Sequence, residues 1–250
     1  MSHPDREPAA KSTTLADARA YALPVLLGSA ITIVGVVPWL VLAPINARIR
    51  PDLPWAALLT AAFLVLYVAW LNGAGWPRAW RERRRYSLRL WRPTRSAWTR
   101  EGLGPTATFV GLLAGLTVLW IAVAGPDQPP DLTPYPTTSY RISVLVMGAT
   151  VSGVVEEVAF RGYMQSGLER FGAGTAIVVT SLVFVLFHGV HGWQTLLLLG
   201  PGFFVASVLY GMLAYHTGSI LPGAVIHVLG DMAYTFFATL GGDASLLVAP

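Results

Sequence analysis

Seven stretches of this 250-residue chain are apolar over close to the length an α-helix needs to cross a bilayer, and that property removes most folds from consideration. They run from Tyr21 to Ala43, Pro54 to Gly75, Ala107 to Gly125, Ile142 to Met164, Gly174 to Val190, Thr195 to Tyr215 and Ser219 to Leu240, the fifth being short. Hydrocarbon offers no water to pair with backbone N–H and C=O groups, so a spanning segment must satisfy them internally. The expected fold is therefore all-α, a polytopic transmembrane helix bundle of about seven spans. Composition agrees, since 54% of the residues are hydrophobic and 12% charged, with a mean hydropathy of +0.56. A soluble domain carries roughly twice that charge.

The net charge of +4 does not point to nucleic acid, because nine of the sixteen arginines lie between Arg78 and Arg100, in a loop flanked by apolar spans. Arginine alternates there with Trp80, Tyr86, Trp91 and Trp98, as suits a segment lying at the headgroups of an anionic leaflet. This loop is expected to be cytoplasmic, and Pro126 to Pro136, with five prolines, two aspartates and no basic residue, to lie on the opposite side. Residues 1–20 read as a polar tail without the features of a removable signal peptide. Residues 21–125 read as three spans around the basic loop at 78–100, and residues 142–240 as the functional core. The chain has no cysteine, which excludes disulfides, thiolate metal sites and a thiol nucleophile.

Helix breaks are expected at Gly200, Pro201 and Gly202 in the sixth span and at Pro222 and Gly223 in the opening turns of the seventh. Gly111 and Gly115 form a small-xxx-small pair, read as a packing face. The ionisable residues inside the spans are few: Glu156, Glu157 and Arg161 in the fourth, His188 at the end of the fifth, and His227 and Asp231 in the seventh. A charge at the bilayer centre costs at least about 2.5 kcal/mol, so this set needs partners, a wet cavity or a chemical task. Glu157 and Arg161 are four apart and share a helix face, which predicts an internal ion pair. Glu156 is turned about 100° away and is left for other work. His227 and Asp231 are also four apart, as are Phe184 and His188. Counting about 1.5 Å per residue from the inner ends of the spans puts Glu156 and His227 near the same depth, with Asp231 and His188 roughly 6 to 9 Å deeper, so one cavity could hold them all.

The string Glu156-Glu157-Val158-Ala159-Phe160-Arg161, then Phe184 to His188, then His227-Val228-Leu229-Gly230-Asp231, preceded by Gly218-Ser219-Ile220-Leu221-Pro222, resembles the CPBP family of CAAX proteases and bacteriocin-processing enzymes. The resemblance covers about the last hundred residues. It implies an intramembrane glutamate endopeptidase in which Glu156 and His188 polarise a water for attack on a peptide bond, while His227 and Asp231 support the oxyanion. Glu157, Arg161 and Phe184 would be supporting residues. Asp231 departs from the amide found in the best-known eukaryotic members, and an ionised carboxylate cannot donate a hydrogen bond. It is read as orienting His227, with a protonated donor to the oxyanion or a metal ligand as the alternatives.

The resemblance requires no cofactor. The alternative is zinc, for which Glu156, His188, His227 and Asp231 are the right residue types with an open water position, although no HExxH helix is present. His3, His191 and His216 read as ordinary loop or interface residues, and Phe203, Phe204, Tyr210, Tyr234, Phe236 and Phe237 as packing or lipid-facing aromatics. The expected partners are a peptide or protein substrate at the membrane and the bilayer itself, with no nucleic acid. The arginine-rich, lysine-poor, alanine-rich composition points to a bacterial cell membrane, where the substrate would be CAAX-like or a peptide such as a bacteriocin. A proton-coupled transporter or a non-catalytic immunity protein is the alternative function. A transporter, however, should carry broken helices in two related halves, and none is evident.

Overall fold

The computed structural model of the protein describes residues 15–82, 97, 99–124, 138–189 and 192–243. Among them are seven main helices and no strand: α1 (Leu15–Ile49), α2 (Trp55–Leu71), α3 (Arg100–Ala124), α4 (Thr138–Glu156), α5 (Ala173–His188), α6 (Trp193–Thr217) and α7 (Leu221–Asp243). These coincide with the seven apolar runs. By length and composition α1, α3, α4 with its continuation to Phe171, and α6 can each cross a membrane, while α2, α5 and α7 are shorter apolar helices. The helix α1 starts at Leu15, so part of the polar segment expected as a tail is helical. Residues 1–14, most of the basic loop (83–96 and 98), the proline-rich 126–136 and His191 lie outside the described residues.

Polar side chains close the connections locally. Asn46, fully buried, donates from Nδ2 to the carbonyls of Arg50 at 2.7 Å and Leu53 at 2.9 Å, and its Oδ1 accepts from the Ala56 N–H at 2.8 Å. One side chain thus satisfies three backbone groups in the turn from α1 to α2, which no water could do once the turn is packed. Between α6 and α7, Gly218 takes φ +65°, a value that suits glycine, and Ser219 Oγ accepts from the Leu221 N–H at 3.2 Å. The turn is three residues long, so α6 and α7 run antiparallel as neighbours.

The helix α4 does not end at Glu156. It continues as a π-helical stretch, Glu157–Gln165, whose nine side chains are all buried. The sequence reading treated this region as ordinary α-helix. The wider i→i+5 winding changes which faces the motif side chains occupy, and such stretches occur mostly where function needs a side chain re-aimed. Around this segment the bundle is built: α1 packs along it, α4 lies on α7, α5 on α6, and α3 leans on α6 and α7. Val155, Val158, Ala159, Phe160 and Met164 form the centre of the main apolar core.

Close approach of α4 and α7 depends on one residue. A Cβ on Gly153 would lie 2.7 Å from Val228 Cγ2 and 2.8 Å from the Val228 backbone nitrogen, so any larger residue would push apart the two helices that carry Glu156 and His227. Two expectations are corrected. α6 runs unbroken through Gly200, Pro201 and Gly202, the single missing N–H of Pro201 being insufficient to end a 25-residue helix. Gly111 and Gly115 make no packing face among the described residues, since a Cβ on either would meet none of them within 4 Å.

Candidate active site

The charged residues of the motifs meet where the start of the π-helical segment faces the middle of α7. Arg161 Nη1 lies 3.1 Å from Glu157 Oε1, and both side chains are wholly buried. Arg161 Nη2 donates to the backbone carbonyl of Ser207 at 3.2 Å and to its hydroxyl at 3.0 Å, which ties the motif to α6. The guanidinium also lies over the Phe184 ring at 4.8 Å and the Tyr210 ring at 5.2 Å. Removed from water, the arginine thus has a carboxylate, two oxygen acceptors and two aromatic faces.

Glu157 has a second task. Its Oε1 also accepts from His227 Nδ1 at 3.2 Å, so the carboxylate that neutralises Arg161 also fixes the imidazole. Tyr210 stacks on the same ring, with centroids 4.8 Å apart and planes inclined by 19°. With Nδ1–H committed to Glu157, the tautomer is set and Nε2 is the nitrogen left for chemistry. Nε2 lies 3.7 Å from Glu156 Oε2 and 3.8 Å from Asp231 Oδ2, close enough for electrostatic contact and too far for a direct hydrogen bond to either. The residue bonded to His227 is therefore Glu157, with Asp231 on the other edge of the ring, its side chain 35% exposed.

Glu156 differs from its neighbour in environment. Its Oε1 accepts from Ser152 Oγ at 3.3 Å, one turn earlier on α4, whereas its Oε2, like Oε2 of Glu157, is buried and has no hydrogen-bond partner among the described residues. A buried acceptor left unsatisfied is costly and calls for a functional or solvent explanation.

His188 stands on the last residue of α5. Its Nδ1 lies 2.9 Å from the Phe184 carbonyl, and because a carbonyl can only accept, Nδ1 carries the proton and Nε2 presents a lone pair. The ring is held between Phe184, at 4.5 Å, and Phe203, at 4.3 Å. His188, His227, Asp231 and Ser152 all line one cavity of about 410 Å³, whose remaining wall includes Leu116, Trp120, Phe203, Tyr210 and Tyr234. Tyr210, Phe203 and Tyr234 read from sequence as packing or lipid-facing, and Ser152 and Trp120 carried no motif. Trp120, Phe203 and Tyr210 lie far in sequence from the motifs, and Ser152 and Tyr234, which lie beside them, have side chains that no motif requires. His216, by contrast, sits away from the site, its Nε2 3.2 Å from the Gly102 carbonyl.

Among the described residues no group of three or more His, Asp or Glu side chains is disposed to hold a metal ion. A metalloprotease-like reading has no ligand set to rest on among those residues.

Residues 138–233 match the Rce1-like family of type II CAAX prenyl endopeptidases. The matched segment begins at the first residue of α4 and ends in α7 just past Asp231, so it contains every motif residue, while Leu116, Trp120 and Tyr234 of the cavity wall lie outside it. This agrees with the resemblance carried by the three motifs. With the apolar helices around the matched segment, the chain is a multi-pass membrane protein. No curated protein and no solved structure matches the chain.

Proposed function

We propose that the protein is an intramembrane endopeptidase in which Glu156 and His188 activate a water that hydrolyses a peptide bond of a membrane-associated substrate. The observation that carries this reading is the division of labour between adjacent glutamates. Glu157 is neutralised by Arg161 and holds His227 Nδ1, both through Oε1, while Glu156 has no arginine ion pair among the described residues and brings Oε2 to 3.7 Å from His227 Nε2, the nitrogen left for chemistry. A carboxylate held in place on one oxygen and open on the other is equipped to accept and return a proton.

In this mechanism the water oxygen bonds to the carbonyl carbon of the scissile amide as one water proton passes to Glu156, assisted by the lone pair on His188 Nε2. The carbonyl oxygen takes up the electron pair. His227, with Nδ1–H given to Glu157, can support that oxygen only when Nε2 is also protonated, as an imidazolium flanked by Glu156 and Asp231. Collapse of the tetrahedral species breaks the C–N bond, and Glu156 delivers its proton to the leaving nitrogen. The second water proton remains with the new acid.

In this reading Asp231 is the charge partner of that imidazolium. Asp231→Asn is expected to lower kcat roughly tenfold without abolishing turnover, and to move the acidic limb of the pH–rate profile. An unchanged kcat and profile would exclude this role, since an amide would serve equally well as an oxyanion donor. The assay is hydrolysis of a lipid-anchored peptide by purified protein in liposomes. Complete absence of Glu156-dependent cleavage across CAAX-like and bacteriocin-like peptides would overturn the proposed function itself.

The proposed orientation has the basic loop in the cytoplasm. Because the chain has no cysteine, single substitutions Ser87→Cys and Thr133→Cys report on sidedness without background. An impermeant thiol reagent is expected to label Thr133→Cys in intact cells and Ser87→Cys only in inverted vesicles. Labelling of both from one face would refute the arrangement.

A further inference from the structure

The part of the cavity wall least explained by the catalytic arrangement comes from α3, outside the segment matched to the protease family. Leu113, Leu116, Thr117 and Trp120 project from this helix toward the cavity. Among them Trp120 has a defined seat. Its indole contacts the Phe203 ring with centroids 5.0 Å apart, and Phe203 in turn contacts the His188 ring at 4.3 Å. A continuous aromatic wall therefore runs from the reacting histidine to Trp120, one ring further out. Two ring spacings of that size are within reach of the side chain of a residue next to the scissile bond, since consecutive Cα atoms are about 3.8 Å apart and a side chain extends several Å beyond its Cα.

The seat itself is cut by a glycine. A Cβ built on Gly202 would fall 2.5 Å from Trp120 Cζ3, so the benzene edge of the indole occupies the space that a side chain at position 202 would fill. On the same helix Leu113 is buried against Tyr210 and Leu213, while Gly104, Gly111 and Gly115 face away from the described residues. The tryptophan thus fills a specific notch on the packed face of α3, and it does so at the edge of the cavity rather than in the core.

We propose that Trp120, seated on Gly202, limits the size of the substrate side chain accepted beside the scissile bond. This rests on the hydrolytic reading above. Shortening the tryptophan opens room for an aromatic side chain, whereas a methyl on Gly202 forces the indole inward and narrows the site. Because both substitutions act through one contact, the glycine change should lose its effect once the indole is gone.

The test uses a lipid-anchored peptide library randomised around a central segment, with cleavage products identified by mass spectrometry. Wild-type protein is expected to yield products poor in aromatic residues on one side of the cut. Trp120→Ala is expected to raise the proportion of aromatic residues at that position at least about tenfold, within the range by which pocket size discriminates substrates. Trp120→Phe should give a smaller shift in the same direction, and it guards against a folding defect in the alanine variant. Gly202→Ala should deplete larger side chains, and the double variant Trp120→Ala/Gly202→Ala should match Trp120→Ala. Unchanged profiles in folded Trp120→Ala and Trp120→Phe proteins, with cleavage still dependent on Glu156, would overturn the proposal alone. A library left uncut by the wild type, or cut equally by Glu156→Gln, would overturn the hydrolytic reading beneath it.

Discussion

Glu156→Gln is expected to reduce peptide hydrolysis by roughly 10²- to 10⁴-fold, the usual contribution of a positioned general base, while leaving folded yield and thermal stability in detergent near those of the wild type. The amide is isosteric with the carboxylate, and its oxygen can still accept the bond from Ser152 Oγ. No cavity is opened. The lost capacity is proton transfer at the oxygen that has no partner and lies 3.7 Å from His227 Nε2. A parallel substitution at the neighbouring position makes the comparison sharper, because Glu157→Gln removes the counter-charge of a fully buried arginine and should damage stability first. Full activity in a folded Glu156→Gln protein would remove this residue from the mechanism.

The contrast between these two glutamates was legible in the sequence only in part. The spacing of Glu157 and Arg161 on a helix pointed to a pair, and an ion contact at 3.1 Å is present. The spacing of His227 and Asp231 pointed to a second pair, yet the hydrogen bond of His227 goes to Glu157, seventy residues earlier in the chain. Periodicity along one helix reports which side chains share its face, and it says nothing of what a neighbouring helix brings to that face. Arg161 meets Ser207 across 46 residues for the same reason, through a serine that belongs to no motif.

Where the sequence reading failed, packing had altered the local rule. Glycine and proline at positions 200 to 202 resemble a helix break, yet α6 continues, and Gly202 serves instead as the seat of Trp120. Gly111 and Gly115 have the spacing of a packing face, but α3 turns another face to the bundle, the one bearing Leu113 and Trp120. The π-helical winding from Glu157 to Gln165 has no compositional signature at all. It arises in the segment most completely surrounded by other helices, where the neighbours rather than the chain's own preference set the geometry.

Arg161→Ala should destabilise the protein more than any other single change, by about 3–5 kcal/mol, the cost of leaving a buried charge without its partner. The substitution strands Glu157 in an interior from which both side chains exclude water, and it also removes two hydrogen bonds to Ser207 and the contacts with the Phe184 and Tyr210 rings. The measurement is folded yield and thermal unfolding in detergent, and a well-folded, fully active Arg161→Ala protein would contradict the ion pair as a structural element. A double variant separates the electrostatic cost from the lost packing. Arg161→Met with Glu157→Gln removes both charges while keeping an apolar stem between the rings, so it should recover a substantial part of the stability, as buried ion pairs replaced by apolar groups often do. Its activity should nonetheless stay low, because a neutral amide at position 157 no longer offers His227 Nδ1 a charged acceptor. Recovery of stability together with wild-type turnover would mean that Glu157 serves the fold alone and takes no part in holding the histidine for catalysis.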